Sequence, residues 1–316
     1  MQTYLKTRPV WIQLLLFLGL AFALGFIIGA AGVMIYASAT GTSVMALDPA
    51  GWDFNNPGLI GFIRLSQALQ FFGFFVIPVA LFAYFSDPRP GQYLGLRQPT
   101  KKRYWAFAIL VMIIAIPLVQ YTGFLNRQIS FGPEMQRWIQ TQEDQANRII
   151  GYLLKNRAPK ELILNLIFIA LMAGIGEELF FRGVLQRMFI RWFRNPWAGI
   201  VVTALLFSAI HMQFLGFIPR FLMGVLLGAI YWYSGSMWVA IAAHFVYDAF
   251  IIVLVYFQPR LTDPKAEIID PANIAVTALV SAALVAVLLW QMRKNSTTSY
   301  AAIYKDDHPQ KDEFSF

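Results

Sequence analysis

Gly174-Ile175-Gly176-Glu177-Glu178-Leu179-Phe180-Phe181-Arg182 closes an apolar run that begins at Leu162. Two adjacent carboxylates and a guanidinium inside a hydrophobic span are costly. A charge at bilayer depth costs at least about 2.5–3.5 kcal/mol on insertion scales, so an ionisable residue there marks a functional site by default. Spacing separates the two carboxylates. Glu178 and Arg182 stand four apart with the acid first, the favoured order for an ion pair on a helix. Glu177 projects about 100° away from Glu178 and has no partner on its own helix. Glu178–Arg182 therefore reads as a structural ion pair, and Glu177 as a group that works with residues from other helices.

The surrounding chain is a membrane protein by composition. It has 316 residues, 58% hydrophobic and 13% charged, with a mean hydropathy of +0.56. A soluble domain is nearer 45–50% apolar and about 25% charged. The sequence contains no cysteine, which excludes disulfides and thiolate metal sites. A net charge of +8 raises nucleic acid as a partner. The basic residues instead fall in short loops between apolar runs, where they set topology. No basic groove, zinc-finger spacing or phosphate-binding glycine loop is present, so nucleic-acid binding is set aside. The first apolar run is too long for a signal-peptide core, lacks a convincing cleavage site and is expected to be retained.

Outward from Gly174–Arg182, the pattern predicts an all-α polytopic bundle of about eight spans. These are approximately 10–37, 60–85, 104–124, 162–181, 197–214, 217–233, 237–257 and 272–292. Arg64, near the outer end of the second, is expected to snorkel. The fourth helix is expected to run on to Arg191 or Phe193 before Asn195-Pro196 breaks it. Met135, Trp138, Ile139, Ile149, Ile150 and Leu153 recur among polar residues in the longest insertion, 125–160. That predicts one or two amphipathic helices on the membrane surface or capping the bundle. The division expected is N-terminal membrane helices over 1–124, the amphipathic segment over 125–160, a core over 161–257, a last membrane helix within 258–292 and a polar, disordered tail over 293–316. Basic clusters at the N-terminus and after the second, fourth and eighth spans share one side, which makes both termini cytoplasmic. In a bacterial source the membrane would be the plasma membrane. No internal repeat is visible, which counts against an inverted-repeat transporter.

Of the three histidines, His308 reads as a solvated tail residue. His211 and His244 lie within predicted spans. Asp248 follows His244 by four residues and shares its helix face. Counted at ~1.5 Å per residue from the cytoplasmic ends, Glu177 and His244 lie roughly 10–15 Å deep and His211 and Asp248 roughly 15–20 Å. Three neighbouring helices thus supply Glu177, His211 and the His244/Asp248 pair to one layer. Singly, each has a plain reading: an interhelical hydrogen bonder, or Asp248 satisfying His244. Arg220 and Asn165 are taken as interhelical or interfacial anchors, and Phe180, Phe181 and Phe207 as core. Together, the four ionisable groups cost too much for packing alone.

A carboxylate and imidazoles around a water suit peptide-bond hydrolysis. Glu177 would be the general base and His211 would hold the same water. His244 with Asp248 would stabilise the developing oxyanion or hold the water from the other side. In a metal variant, Glu177, His211 and His244 would bind a divalent ion such as zinc. Helical His-Glu-x-x-His spacing is absent, so such a site would be assembled across helices; a metal-free site is the other option.

These residues resemble a known family. Glu177-Glu178-x-x-x-Arg182, then Phe207-x-x-x-His211, then His244-x-x-x-Asp248 is similar to the ordered motifs of the CPBP intramembrane proteases, the CAAX prenyl protease, bacteriocin-processing or ABI family. The resemblance covers about Leu162–Tyr256, so 161–257 would be the catalytic core. It implies an α-helical membrane endopeptidase open toward the cytoplasm, with Glu177 as base, water or metal at Glu177 and His211, and a supporting or oxyanion role for His244 and Asp248. The last motif position is commonly Asn in the prenyl-protease branch, and here it is Asp248. An ionised acid donates no hydrogen bond, so the resemblance with Asp at this position implies orientation of His244 or metal binding. The partners implied are a peptide or membrane-anchored protein substrate, prenylated or otherwise hydrophobic, and the lipid bilayer. A proton- or ion-coupled transporter using the same carboxylates and a non-catalytic membrane scaffold are the competing readings.

Overall fold

The computed structural model describes residues 4–56, 58–262, 273–300 and 303. They form helices and turns, with no strand among the described residues. The helices are α1 (Val10–Thr40), α2 (Leu59–Ser86), α3 (Arg103–Asn126), α4 (Pro133–Lys155), α5 (Pro159–Phe193), α6 (Pro196–Ala209), α7 (Phe217–Ser234), α8 (Met237–Phe257) and α9 (Ile274–Asn295). Among the described residues seven helices are long and apolar enough to cross a membrane, α7 being counted with the turn Phe214–Gly216 that leads into it. The chain is an all-α, multi-pass membrane bundle.

The expected fifth span is the exception. Helix α6 has 14 residues, about 21 Å at 1.5 Å per residue, against the ~30 Å of a hydrocarbon core. It begins where expected: Asn195 Oδ1 accepts from the backbone N–H of Trp197 at 2.9 Å and of Ala198 at 3.3 Å, with Pro196 in the first turn. It stops at Ala209, not near Phe214, because the chain turns sharply at Met212, whose φ of 55° is left-handed. The Ser208 hydroxyl donates to the Phe217 carbonyl at 2.6 Å and ties the turn back to α7.

Neighbours follow from the short turns. Helix α6 packs on α7 and the last turns of α5; α8 packs on α3, α7 and the middle of α5; α9 packs on α3 and α7; α1 packs on α2. At the α5–α6 crossing, a Cβ on Gly199 would lie 2.6 Å from the Ile190 nitrogen, so only glycine lets these backbones meet. Helices α2 and α5 contain wider π-helical stretches at Phe71–Val76, Leu166–Leu171 and Glu178–Gln186. Such widened turns recur at functional sites. The one in α2 lies just ahead of Pro78, which has no N–H to give to an i−4 carbonyl.

One further expectation is revised and another is met. Arg64 does not snorkel: its Nη2 lies 2.5 Å from Glu161 Oε2 and 3.3 Å from Asn165 Oδ1, with the arginine side chain 12% exposed. A cross-helix carboxylate is available, so the charge is paired within the protein through Nη2, while Nε is buried without a hydrogen-bond partner among the described residues. The insertion 125–160 holds a single 23-residue helix, α4, which caps the bundle over the 212–216 turn. Glu143 Oε1 accepts from the Leu215 N–H at 2.9 Å, and Trp138 lies with its ring centroid 5.5 Å from that of Phe214. The expected loop 258–271 beyond Thr262, the start of the last span at Ala272, and most of the tail, His308 included, lie outside the described residues; the described part of the expected disordered tail instead continues α9 to Asn295 and sets Tyr300 and Ile303 against the core.

Candidate active site

Helix α5 carries Glu177, Glu178 and Arg182 through the bundle centre. The ion pair foreseen from spacing is present: Arg182 Nη1 lies 2.7 Å from Glu178 Oε1, both side chains fully buried. Arg182 also donates from Nη2 to the Gly224 carbonyl at 3.1 Å. One turn on, Gln186 Nε2 donates to the Gly228 carbonyl at 3.1 Å. Two polar side chains four apart on α5 thus fasten two carbonyls four apart on α7. Close approach makes this possible: a Cβ on Gly228 would lie 2.7 Å from the Gln186 side-chain oxygen.

A contact that spacing did not indicate joins α5 to α8. His244 Nδ1 lies 2.9 Å from Glu178 Oε1. A carboxylate accepts, so this nitrogen carries the proton and Glu178 fixes both the ring orientation and the face it presents. The other nitrogen, Nε2, looks toward two carboxylates, Asp248 Oδ2 at 3.4 Å and Glu177 Oε2 at 4.0 Å. Asp248 is thus a flanking charge, and Glu178 rather than Asp248 makes the short orienting contact. His244 is 3% exposed, whereas the Glu177 and Asp248 side chains are 17% and 25% exposed.

His211 follows α6, just past its last turn. Its Nδ1 lies 2.7 Å from the Phe207 carbonyl. Because a carbonyl only accepts, Nδ1 is protonated, and in the neutral ring Nε2 carries the lone pair. Phe207 does more than the core packing expected of it. Its ring centroid is 5.1 Å from His211, 6.3 Å from His244 and 5.1 Å from Phe181. The Arg182 guanidinium lies 4.8 Å from the same centroid, within cation–π range. Phe180 is core, stacked on Phe74 with centroids 5.2 Å apart.

Glu177 and His211 line one cavity of about 650 Å3 between α1, α2 and the end of α6, with Gly29, Gln70, Phe74 and Phe181 among its walls. No hydrogen bond joins Glu177 to His211 among the described residues; they share the cavity. His244 and Asp248 are absent from that lining and stand behind Glu177. Arg220 holds the loop beside His211, donating to the Gln213 carbonyl at 3.0 Å and to its side-chain oxygen at 2.5 Å. Among the described residues no group of three or more His, Asp or Glu side chains is placed to hold a metal ion. Each histidine gives its Nδ1 to an acceptor, Glu178 or the Phe207 carbonyl, which orients the ring and leaves Nε2 as the nitrogen turned to a water or an ion.

Comparison with known proteins points to the same segment. Residues 159–250 match the family described as "Type II CAAX prenyl endopeptidase Rce1-like". The chain is 30% identical over 124 residues to the uncharacterized protein YpbD of Bacillus subtilis (strain 168), covering 38% of this chain and 61% of that protein. It is 30% identical over 96 residues to an uncharacterized 24.3 kDa protein of Escherichia coli, covering 29% of this chain and 44% of that one. The chain thus spans less than two thirds of the length of either curated relative. No solved structure matches it.

Proposed function

We infer, from a chain whose residues 159–250 carry the Rce1-like pattern of the CPBP proteins, that this protein is an intramembrane endopeptidase in which Glu177 activates the attacking water. One observation carries the reading. Glu177 and His211, which no hydrogen bond joins, face one cavity, while His244 Nε2 stands 4.0 Å behind the Glu177 carboxylate. A carboxylate held in a bundle interior without a cation of its own is unexplained by packing. As a base it has a role.

The chemistry follows from the hydrogen-bond roles. A water between Glu177 and His211 would give one hydrogen to the carboxylate and the other to His211 Nε2, leaving an oxygen lone pair for the scissile carbonyl carbon. Attack forms the new C–O bond as the proton passes to Glu177. The oxyanion then needs a donor. With a proton on Nε2, His244 supplies it, held in place by Glu178 and flanked by Asp248. Collapse breaks the C–N bond while Glu177 hands its proton to the leaving amine. The products are a carboxylate and an amine, and the base is restored. In this reading 161–257 is the catalytic core, the termini are cytoplasmic, and the substrate is a membrane-anchored peptide, prenylated or otherwise hydrophobic.

The test uses the full chain in liposomes, with quenched fluorescent peptides that are either farnesylated near the C-terminus or unprenylated and hydrophobic. Wild type should cleave at least one class, and Glu177→Ala and His211→Ala should abolish cleavage while remaining folded. Full activity in Glu177→Ala overturns the proposal.

A further inference from the structure

The cavity shared by Glu177 and His211 extends from them in one direction only. Gly25, Gly29 and Val33 wall it on α1, and Ser66, Leu69 and Gln70 on α2. At 1.5 Å per residue, Gly29 and Val33 lie about 16 and 10 Å from the Thr40 end of α1, and about 28 and 34 Å from its Val10 end. Ser66 and Leu69 lie about 10 and 15 Å from the Leu59 end of α2. Those two ends are joined through 41–58, where the Tyr152 hydroxyl of α4 donates to the Asn56 carbonyl at 2.7 Å. Helix α4 also holds the 212–216 turn through Glu143. The walls therefore rise from Glu177 toward the face that carries α4, and away from the face of the basic loop 87–103.

The short α6 opens this direction. Past Ala209 no helix continues its line, and Ile210 and Met212 are left exposed. The opposite direction is closed. Phe17, Phe180, Phe181 and Phe207 are buried in one cluster with Val184 and Leu185. Ring centroids are 4.8 Å apart for Phe17 and Phe180, 5.1 Å for Phe180 and Phe181, and 5.1 Å for Phe181 and Phe207. Interiors packed in this way hold few voids larger than a water, so the four rings partition Glu177 from the basic end of α5. The cavity itself, at about 650 Å3, far exceeds the ~30 Å3 share of one water. It has room for a segment of chain beside the water that hydrolysis consumes.

We propose that this cavity is entered from the α4 face, through the space that the short α6 leaves beside α1 and α2, and that its substrates are membrane-anchored polypeptides whose scissile bond lies in that half of the bilayer. With the termini cytoplasmic, as the basic loops require, this is the outer half. The resemblance to prenyl proteases implies the other entrance, open toward the cytoplasm; the walls of this chain reverse it. The substrate class rests on the protease reading, whereas the direction of entry does not.

The sequence has no cysteine, so single-cysteine variants of the full chain report entry directly. A Cβ on Gly29 meets nothing within 4 Å and Gln70 is exposed, so G29C and Q70C suit the fold. E134C on α4 and K102C on the basic loop define the two faces. Each variant is treated with a small, membrane-impermeant methanethiosulfonate in sealed vesicles of either orientation. G29C and Q70C should label in the vesicles that label E134C and lose that labelling in those that label K102C. Labelling alongside K102C, or none while both controls react, overturns the direction of entry. In a second arm, vesicles of the wild-type chain receive an acyl-anchored quenched peptide with a charged tail that cannot cross the membrane. Cleavage should occur only where the α4 face is exposed, and cleavage only from the other face overturns the proposal. Cleavage from neither face overturns the protease reading and the substrate class with it, while the labelling still decides the entrance.

Discussion

His244 and Arg182 meet on one oxygen atom: Glu178 Oε1 lies 2.9 Å from His244 Nδ1 and 2.7 Å from Arg182 Nη1. A structural ion pair and the aim of a candidate oxyanion donor therefore depend on the same carboxylate.

Glu178→Gln should be costly in two ways. It leaves the Arg182 guanidinium buried without its counter-charge, a loss of about 3–5 kcal/mol for a broken buried pair, read as a lower thermal midpoint in detergent. The paired change Glu178→Leu with Arg182→Leu should regain most of that stability, because apolar replacement of a whole buried pair is often neutral or favourable. It should remain inactive because His244 has lost its orienting acceptor. Recovery of cleavage along with stability would show that Glu178 only neutralises Arg182.

Glu177→Gln separates chemistry from folding more cleanly. Removing a general base should lower kcat by about 10²–10⁴-fold with KM little changed. The thermal midpoint should hold or rise, since an amide is cheaper to keep in the bundle than a carboxylate. Single-turnover cleavage beside a melting curve checks both halves.

Gly224→Ala tests the α6–α7 crossing. The added methyl would stand 2.9 Å from the Ala204 Cβ and 3.0 Å from its Cα, an overpacking cost of about 1–3 kcal/mol. Pushing α7 away should also stretch the bond from Arg182 to the Gly224 carbonyl, so activity should fall further than a surface alanine change would bring about. Thermal midpoint and kcat measured side by side on Gly224→Ala and a lipid-facing Leu279→Ala decide this.

Glu143→Ala removes the acceptor of the Leu215 N–H and should cost about 1–3 kcal/mol through an unpaired backbone donor. The expected readout is local: faster amide exchange across 212–216, with little change in α8. Uniform acceleration through the bundle would show that α4 supports the fold generally and not this loop.

How far the sequence reaches depends on what each feature rests on. Glu177, Glu178 and Arg182 stood out because a hydrocarbon environment makes every ionisable residue an exception, and i,i+4 spacing assigns the pair without knowing any other helix. His244 and Asp248 were legible on one face for the same reason. The contact from Glu178 to His244 was not, since it depends on how α5 and α8 rotate against each other and on the widened turns of α5. The end of α6 was also hidden. Hydropathy continues through Ile210, Met212 and Phe214, so an apolar window runs past the stop; the break comes from a left-handed Met212 and a hydroxyl bond to Phe217. Arg64 near the end of an apolar run looks like any snorkelling arginine, because its partner Glu161 is 97 residues away.

The end of α6 bears on how relatives of this chain are judged. Phe207 offers one of the last carbonyls of a helix, groups that find no partner within the helix itself. His211 Nδ1 supplies that partner at 2.7 Å. The histidine is thus a cap as well as a candidate reagent, and a descendant that had abandoned hydrolysis would still gain by keeping it. Glu177 has no such second occupation: among the described residues its carboxylate accepts no hydrogen bond. Across a set of homologues, the tell-tale of a silent protein is therefore a vanished Glu177 beside a surviving His211.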